Sequence, residues 1–156
     1  MLFDLASPAI ELKMTHISDD KTKIDFDLVY EFTTKHSFSK GISRARFDKA
    51  MENSWCFGIF KSDGTQVGYC RLITDYATFA MVRDVFVLPQ YRGNGYALAS
   101  LQHVIKKLQD LDIRRVMLGT LDKHRLFEKI GFSLLQHPEY FMEYDHFTNY
   151  ATQAKW

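Results

Sequence analysis

The chain has 156 residues, of which 46% are hydrophobic and 25% are charged, and its formal net charge is +1 at pH 7. This length fits one domain with a single core, so we expect residues 1–156 to form one domain with a C-terminal tail from about residue 145. No apolar stretch approaches the ~20 residues that cross a bilayer, and the start of the chain lacks a signal-peptide pattern. We therefore expect a cytoplasmic protein without a membrane partner.

Charged and metal-binding side chains are spread along the chain without a concentrated site. Basic pairs such as Lys106 and Lys107 are typical of solvated helix ends, so we expect no nucleic-acid partner. Cys56 and Cys70 lie in separate apolar runs and are expected to be buried thiols. The six histidines form neither an HExxH motif nor Cys/His pairs, and we expect no metal site.

The first third of the chain predicts a strand and two helices. A strand is predicted at 13–18, and helical spacing of apolar residues follows at 26–38, up to Gly41. Ser43 is a typical N-cap residue. The segment "RARFDKAMEN" after it is therefore expected to form a second helix.

An antiparallel hairpin is expected next. The runs "SWCFGIF" and "VGYCRLIT" are rich in strand-forming residues, and Asp63 and Gly64 between them are a strong hairpin signal. A third strand follows at 77–89. An amphipathic helix at about 96–110 then separates it from a short strand at 114–120, so these two strands can run parallel.

The last part of the chain predicts one short helix and two more strands. The helix "DKHRLFEKI" ends before Gly131, and the segments "FSLLQ" at 132–136 and "YFMEYDHF" at 140–147 are interpreted as strands. The whole order predicts an α+β fold with a mixed, mostly antiparallel sheet. We expect about six to seven strands, about four helices and one parallel βαβ crossover.

The segment "VLPQYRGNGYALASLQHVIKKL" (87–108) joins a strand to a helix through two glycines. Such a junction gathers unpaired backbone N–H groups at the positive end of the helix dipole, and glycines allow an anion to approach closely. The turn therefore predicts a phosphate or pyrophosphate site. It matches neither a P-loop, which needs GxxxxGK[ST], nor a dinucleotide fingerprint, because Leu98 takes the place of the third glycine.

Two motifs resemble those of the GNAT family of N-acetyltransferases. The pattern Arg92-x-x-Gly95-x-Ala97 resembles the family's acetyl-CoA-binding signature, [RQ]-x-x-G-x-[GA], and "LFEKIGF" at 126–132 resembles its "LYEKxGF" segment. The order of elements from the helix at 26 onward also agrees. The resemblance implies a GNAT fold and transfer of an acetyl group from acetyl-CoA to a primary amine of an unidentified small molecule or peptide.

The resemblance also implies which residues bind the cofactor. The main chain at the end of the strand at 77–89 would pair with the pantetheine arm, and a backbone N–H near Phe86 or Val87 would stabilise the oxyanion. Amides of the glycine turn would hold the pyrophosphate. The residues expected to bind acetyl-CoA are Val85, Phe86, Val87, Arg92, Gly93, Asn94, Gly95, Tyr96, Ala97, Leu98 and Phe127.

An amine with a pKa near ~10.4 needs a base or a desolvating pocket to lose its proton. Asp84 interrupts an apolar run just before the expected thioester position and is the candidate base; alternatively, it pairs with an arginine such as Arg71 or anchors a loop. Asp75 and Tyr76 are candidates for holding a cationic substrate. Tyr30 lies in the segment that forms one wall of the acceptor pocket in the family.

The sequence departs from the family at Phe127, where a tyrosine often protonates the coenzyme A sulfur. Either His124 or Tyr96 supplies this proton, or no acid is needed because a thiol of pKa about 8.5 leaves as the thiolate. The departure keeps an alternative open, a catalytically weak acyl-CoA-binding sensor or regulatory module.

The tail "HFTNYATQAKW" has two interpretations. It is a disordered end, or it contacts a second subunit of a homodimer through large apolar side chains. The side chains that would make this contact are Phe147, Tyr150 and Trp156.

Overall fold

The computed structural model describes residues 15–36, 39–147 and 149–151, which contain five strands and four α-helices. In chain order these elements are β1 (His16–Ser18), α1 (Phe26–Lys35), α2 (Arg44–Glu52), β2 (Trp55–Phe60), β3 (Gln66–Thr74), β4 (Phe79–Val87), α3 (Tyr96–Asp110), β5 (Arg115–Leu118) and α4 (His124–Glu128). Residues 13 and 14 of the first predicted strand lie outside the described residues, as does Trp156 of the tail.

The strands form one sheet in the order β1-β2-β3-β4-β5. The first four strands pair antiparallel, whereas β5 runs parallel to β4, because α3 carries the chain back along the sheet before β5 begins. The predicted mixed fold with one βαβ crossover is confirmed. The helix predicted at 96–110 is also confirmed, and so is the turn at Gly64, which has a φ of 87°.

The sheet has five strands in the described residues, so the prediction of six to seven was wrong. The segments 132–136 and 140–147 form no strand there, and Pro138–Tyr140 turns instead as a 3-10 helix. Apolar side chains in this region face solvent, among them Leu134 (78% exposed) and Met142 (98% exposed). Strand propensity reflects how well a side chain fits a pleated, half-buried surface. A segment rich in strand-forming residues therefore forms no strand when it has no neighbouring strand to pair with.

The described residues fall into two compact units. The first contains the residues up to Asp25 and Asn53–Gly119, and so holds the whole sheet and α3. The second contains Phe26–Glu52 and the residues from Thr120 onward, with α1, α2 and α4.

In the first unit, α3 covers one face of the sheet. His103 of α3 meets the Phe57 ring edge-on, with 6.3 Å between ring centroids. Directly paired residues of neighbouring strands share a face, and successive residues alternate between faces. By the strand register, the α3 face carries Phe57, Cys70, Leu72 and Val82, and the opposite face carries Cys56, Tyr69, Arg71, Arg83 and Phe86.

In the second unit, Ser43 caps α2 as predicted, because its Oγ accepts a hydrogen bond from the Arg46 backbone N–H at 3.3 Å. Tyr30 of α1 meets Phe47 of α2 edge-on, with 5.1 Å between ring centroids. The Arg44 guanidinium lies over the Tyr30 ring at 5.2 Å. Aromatic and cation–π contacts around Tyr30 therefore link α1 to α2.

The last described residues contact α2 of their own chain. The Arg46 guanidinium lies over the rings of Phe147 and Tyr150, 5.6 and 5.5 Å from their centroids. Ala151 lies against Gly41, where an added Cβ would come within 2.8 Å of the Ala151 side chain. These two aromatic side chains thus have partners within the chain, and the homodimer contact stays a prediction.

Gly68 in β3 lies too close to β4 for a larger residue. A Cβ at this position would come within 2.5 Å of the Phe86 carbonyl oxygen, so Gly68→Ala should push β4 away and lower the free energy of unfolding by about 1–3 kcal/mol. Gly119→Ala is the control, because a Cβ there meets nothing within 4 Å. Urea denaturation compares the two variants, and equal stabilities would contradict this prediction.

Candidate functional site

The turn after β4 has the backbone conformation that its two glycines predict. Gly93 and Gly95 have φ angles of 82° and 80°, in the left-handed region that residues with a Cβ rarely adopt. Pro89–Tyr91 forms a 3-10 helix before them, and the 15-residue helix α3 begins directly after them.

The N-terminus of α3 is suited to an anion. Its N-cap residue, Gly95, has no side chain, and the first helical turn, which lies within the described range 39–147, contains no acidic residue. Hydrogen bonding along the helix begins with the Ala99 N–H, which donates to the Gly95 carbonyl at 3.0 Å. The helix dipole and the amides before Ala99 therefore favour negative charge at this end.

Two side chains hold the shape of the turn. Arg92 Nε donates a hydrogen bond to the Val87 carbonyl at 3.0 Å, and Asn94 Nδ2 donates to the Tyr91 carbonyl at 3.1 Å. Both bonds tie the turn to the residues just before it. A Cβ added at Gly93 would meet nothing within 4 Å, so the outer side of the turn leaves room for a ligand.

Tyr96 anchors the start of α3 to the sheet. Its side chain is 4% exposed and belongs to an apolar cluster with Ile59, Val67 and Val87. This packing holds the helix N-terminus next to the end of β4.

β4 extends past its neighbour β5. The two strands pair only from Phe79 to Val82 of β4, whereas β3 pairs with β4 up to Val87. Residues 83–87 therefore have β3 on one side and, among the described residues, no strand on the other. An extended ligand fits this side of the main chain as an added strand.

β4 contains a bulge at the predicted catalytic residue, Asp84. Tyr69 pairs with Phe86 and Arg71 pairs with Arg83, so β4 uses one residue more than β3 over this stretch. Asp84 has a φ of 50°. A bulge of this kind takes its extra residue out of the regular ladder and bends the strand.

A buried ion pair joins this bulge to β3. Arg71 Nε donates to Asp84 Oδ2 at 2.5 Å, and the two side chains are only 9% and 6% exposed. Arg71 Nη1 also donates to Ser54 Oγ at 2.9 Å. The arginine pairing that was the structural alternative for Asp84 is therefore present.

Asp75, a predicted substrate-binding residue, organises the turn between β3 and β4. Its Oδ1 accepts hydrogen bonds from the backbone N–H groups of residues 77–79 at 2.8–3.1 Å, and its Oδ2 accepts one from the Thr78 hydroxyl. These bonds, that of the Thr78 hydroxyl first, lower the pKa of Asp75. Tyr76 follows with a φ of 61°, and its ring lies 5.2 Å from the Trp55 ring. The Asp75 carboxylate is thus engaged by its own loop.

Three predicted site residues belong to the second compact unit. The Tyr30 hydroxyl donates to the Ile42 carbonyl at 3.0 Å. Phe127 of α4 is 7% exposed and meets Phe132 edge-on, with 5.9 Å between ring centroids. His124 is exposed at the start of α4. The roles of these residues in binding or catalysis stay predictions.

Both cysteines lie in the protein interior. Cys56 and Cys70 are buried free thiols, as predicted, and burial raises the pKa of both.

Among the described residues, no group of three or more His, Cys, Asp or Glu side chains is placed to hold a metal ion. None of the helices in the described ranges combines the length and apolar character that crossing a membrane requires.

A sequence profile of the acetyltransferase (GNAT) family matches residues 24–132, a range that includes the bulge and the glycine turn. The chain belongs to this family. A candidate acetyltransferase of Gibberella zeae is 38% identical over 98 residues, which cover 51% of this chain and 55% of that protein. The chain spans about half the length of the curated relatives it matches.

Solved structures agree with the family. A candidate GNAT acetyltransferase of Xanthomonas campestris is similar to this chain with a TM-score of 0.78 and 39% identity, over 84% of this chain and 92% of that chain. N-acetylglutamate synthase of Neisseria gonorrhoeae, solved with coenzyme A and N-acetylglutamate, shares the fold with a TM-score of 0.65 and 19% identity, over 80% of this chain and 30% of that chain.

Arg83 and Ser54 of this GNAT chain were not among the site residues predicted from the sequence. Arg83 is paired with Arg71 across β3 and β4. In the sequence, its charge inside an otherwise apolar strand segment was the feature that could have marked it as a site residue. Ser54 had no such signal, because its bond to Arg71 joins residues 17 positions apart.

Removal of Arg71 should leave a buried carboxylate without its partner. We expect Arg71→Met to lower the free energy of unfolding by about 3–5 kcal/mol. The double variant Arg71→Met/Asp84→Asn removes both charges and should recover much of that loss. Ser54→Ala is the control that removes the hydrogen bond from Arg71 Nη1 but no charge, at a cost of about 1 kcal/mol. Urea denaturation measures all three, and an Arg71→Met protein as stable as the wild type would contradict the buried pair.

Proposed function

We propose that this chain is an N-acetyltransferase that transfers the acetyl group of acetyl-CoA to a primary amine of a small molecule or peptide, with residues 1–156 as a single acetyltransferase domain. The observation that carries the proposal is the junction of β4 and α3. There, a strand edge that runs past β5 leads into a glycine turn and a helix N-terminus without a side-chain cap. An extended arm that ends in a pyrophosphate fits this order of features.

The proposed cofactor contacts are mostly main-chain groups. Val85–Val87 would pair with the pantetheine arm along the β4 edge. Arg92 would act by holding the turn, since its Nε is bonded to the Val87 carbonyl. Phe127 is proposed as a cofactor-binding residue on the family resemblance alone. The amides proposed to surround the pyrophosphate are those of Gly93, Asn94, Gly95, Tyr96, Ala97 and Leu98.

Acetyl-CoA would supply a thioester that an amine nitrogen attacks, with the coenzyme A thiolate leaving. A lysine-like amine is protonated at neutral pH, because its pKa is about 10.4. We propose Asp84 as the base that takes this proton. It lies at the bulge just before Phe86, and among the described residues only its Oδ2 receives a hydrogen bond, which leaves Oδ1 to accept the proton.

The leaving thiolate has no proton donor at Phe127. We propose His124 as the acid, since an imidazole can donate a proton and His124 is exposed three residues before Phe127. Departure as the free thiolate is the alternative, because the thiol has a pKa of about 8.5.

Phe127 also favours a second function, a catalytically weak acyl-CoA-binding sensor or regulatory module. Such a protein would keep every main-chain contact to the cofactor. Incubation with acetyl-CoA and a panel of amines, with detection of free thiol, separates the two functions. Turnover of any amine supports the enzyme, whereas tight acetyl-CoA binding without thiol release would support the sensor.

Gly95→Val should weaken acetyl-CoA binding at least about tenfold. The change places a Cβ beside the amides of the turn and opposes the left-handed backbone of Gly95, which has a φ of 80°. Calorimetric titration with acetyl-CoA measures the effect. Gly64→Val is the matched control, because Gly64 has a φ of 87° and open space around it in the β2–β3 turn. Equal affinity in the two variants would argue against the anion site.

Phe127→Tyr should raise turnover by less than about tenfold if the reaction lacks only a proton donor, because the thiol already leaves well. The Phe127 side chain is 7% exposed, so a hydroxyl without a partner there would cost about 1–3 kcal/mol. Thiol-release kinetics and thermal melting are measured together. An unchanged rate with a lower melting temperature would show that another group already supplies the proton.

A further inference from the structure

The sheet face opposite α3 carries two arginines and one carboxylate within a short stretch. Arg71 and Arg83 are directly paired across β3 and β4, and like charges in such positions repel each other. Asp84 lies beside them at the bulge, and its carboxylate is bonded to Arg71. The charge of one arginine is thus compensated, and that of the other is not.

Arg83 is the arginine without compensation. It is half-buried in β4, and it forms no ion pair or hydrogen bond with any described residue. A guanidinium stays charged throughout the physiological range. Partial burial removes some of its water, which is costly unless an anion or another acceptor takes the place of that water.

Each carboxylate near this stretch has a partner other than Arg83. Asp84 Oδ2 is bonded to Arg71, and Asp75 is bonded to the backbone and hydroxyl groups of its own turn. The substrate-binding role predicted for Asp75 stays a prediction. Positive charge remains on this face, which favours a negatively charged ligand.

Arg83 lies close to the proposed reaction centre. It precedes Val85–Val87 by two to four positions in the sequence, which is roughly 7–13 Å along a strand. α3 covers the other face of the sheet, where His103 contacts Phe57. On the face opposite α3, Tyr69 and Arg71 are buried, whereas Arg83 is only partly buried. Arg83 is therefore accessible to an acceptor that binds at the β4 edge.

We infer that the acceptor amine carries a carboxylate or phosphate a few bonds from its nitrogen, and that Arg83 binds this anionic group. The inference rests on the proposed acetyltransferase function and narrows its substrate class. The planar guanidinium can form two parallel hydrogen bonds to either anion. A simple polyamine, which places a second cation at Arg83, is disfavoured.

Matched pairs of amines test this inference. We would compare 4-aminobutanoate with 4-aminobutanamide, and 2-aminoethyl phosphate with ethanolamine, by thiol release from acetyl-CoA. The wild-type protein should show a kcat/KM at least about tenfold higher for the anionic member of one or both pairs. Arg83→Gln should bring that ratio close to one, mainly through KM, and Arg83→Lys should keep part of it. Arg114→Gln, which removes an exposed arginine, should keep the full preference.

A second measurement separates this inference from the proposed function. Both amine pairs are titrated by calorimetry into the protein saturated with coenzyme A, where no transfer occurs. Tighter binding of the anionic member of either pair that is lost in Arg83→Gln would support the anion site even if no amine is acetylated, and only the proposed transfer would then fail. Equal binding within both pairs by the wild type, or a preference that survives in Arg83→Gln, would overturn the inference.

Discussion

The ion pair between Arg71 and Asp84 is the interaction on which the geometry of the site depends. It joins β3 to Asp84, which lies in the β4 bulge. Both side chains are nearly buried. A strand register that separated the two charges would leave at least one of them unpaired in the interior. The direction of β4 after the bulge, and with it the start of the glycine turn, is therefore tied to a contact between two side chains on neighbouring strands.

The main chain and the side chains around the end of β4 have different roles in the proposed site. The strand edge, the left-handed glycines and the helix N-terminus offer backbone N–H groups to an anion. Such groups suit a ligand that a whole family shares. The face opposite α3 instead offers charged side chains, which can be exchanged without changing the fold. The proposed cofactor contacts belong to the first group, and Arg83 belongs to the second.

Short segments of the sequence were sufficient to predict several structural elements correctly. The helix at 96–110, the Ser43 cap and the turn at Gly64 formed as predicted, because each depends on residues within a few positions of one another. The strands predicted at 132–136 and 140–147 did not form. Their sequence has the composition of strands, but pairing needs a neighbouring edge, and composition contains no information about where such an edge lies.

The sequence by itself determined the family, the mixed fold class and the glycine turn, because motif spacing and periodicity are properties of short segments. It also left Asp84 with two interpretations. Only the tertiary structure decided that Asp84 is paired with Arg71, that Asp75 is bonded within its own turn, and that Arg83 is left without a partner among the described residues. These facts depend on which residues face each other across β3 and β4, and the bulge shifts that register by one residue in a way that no local pattern specifies.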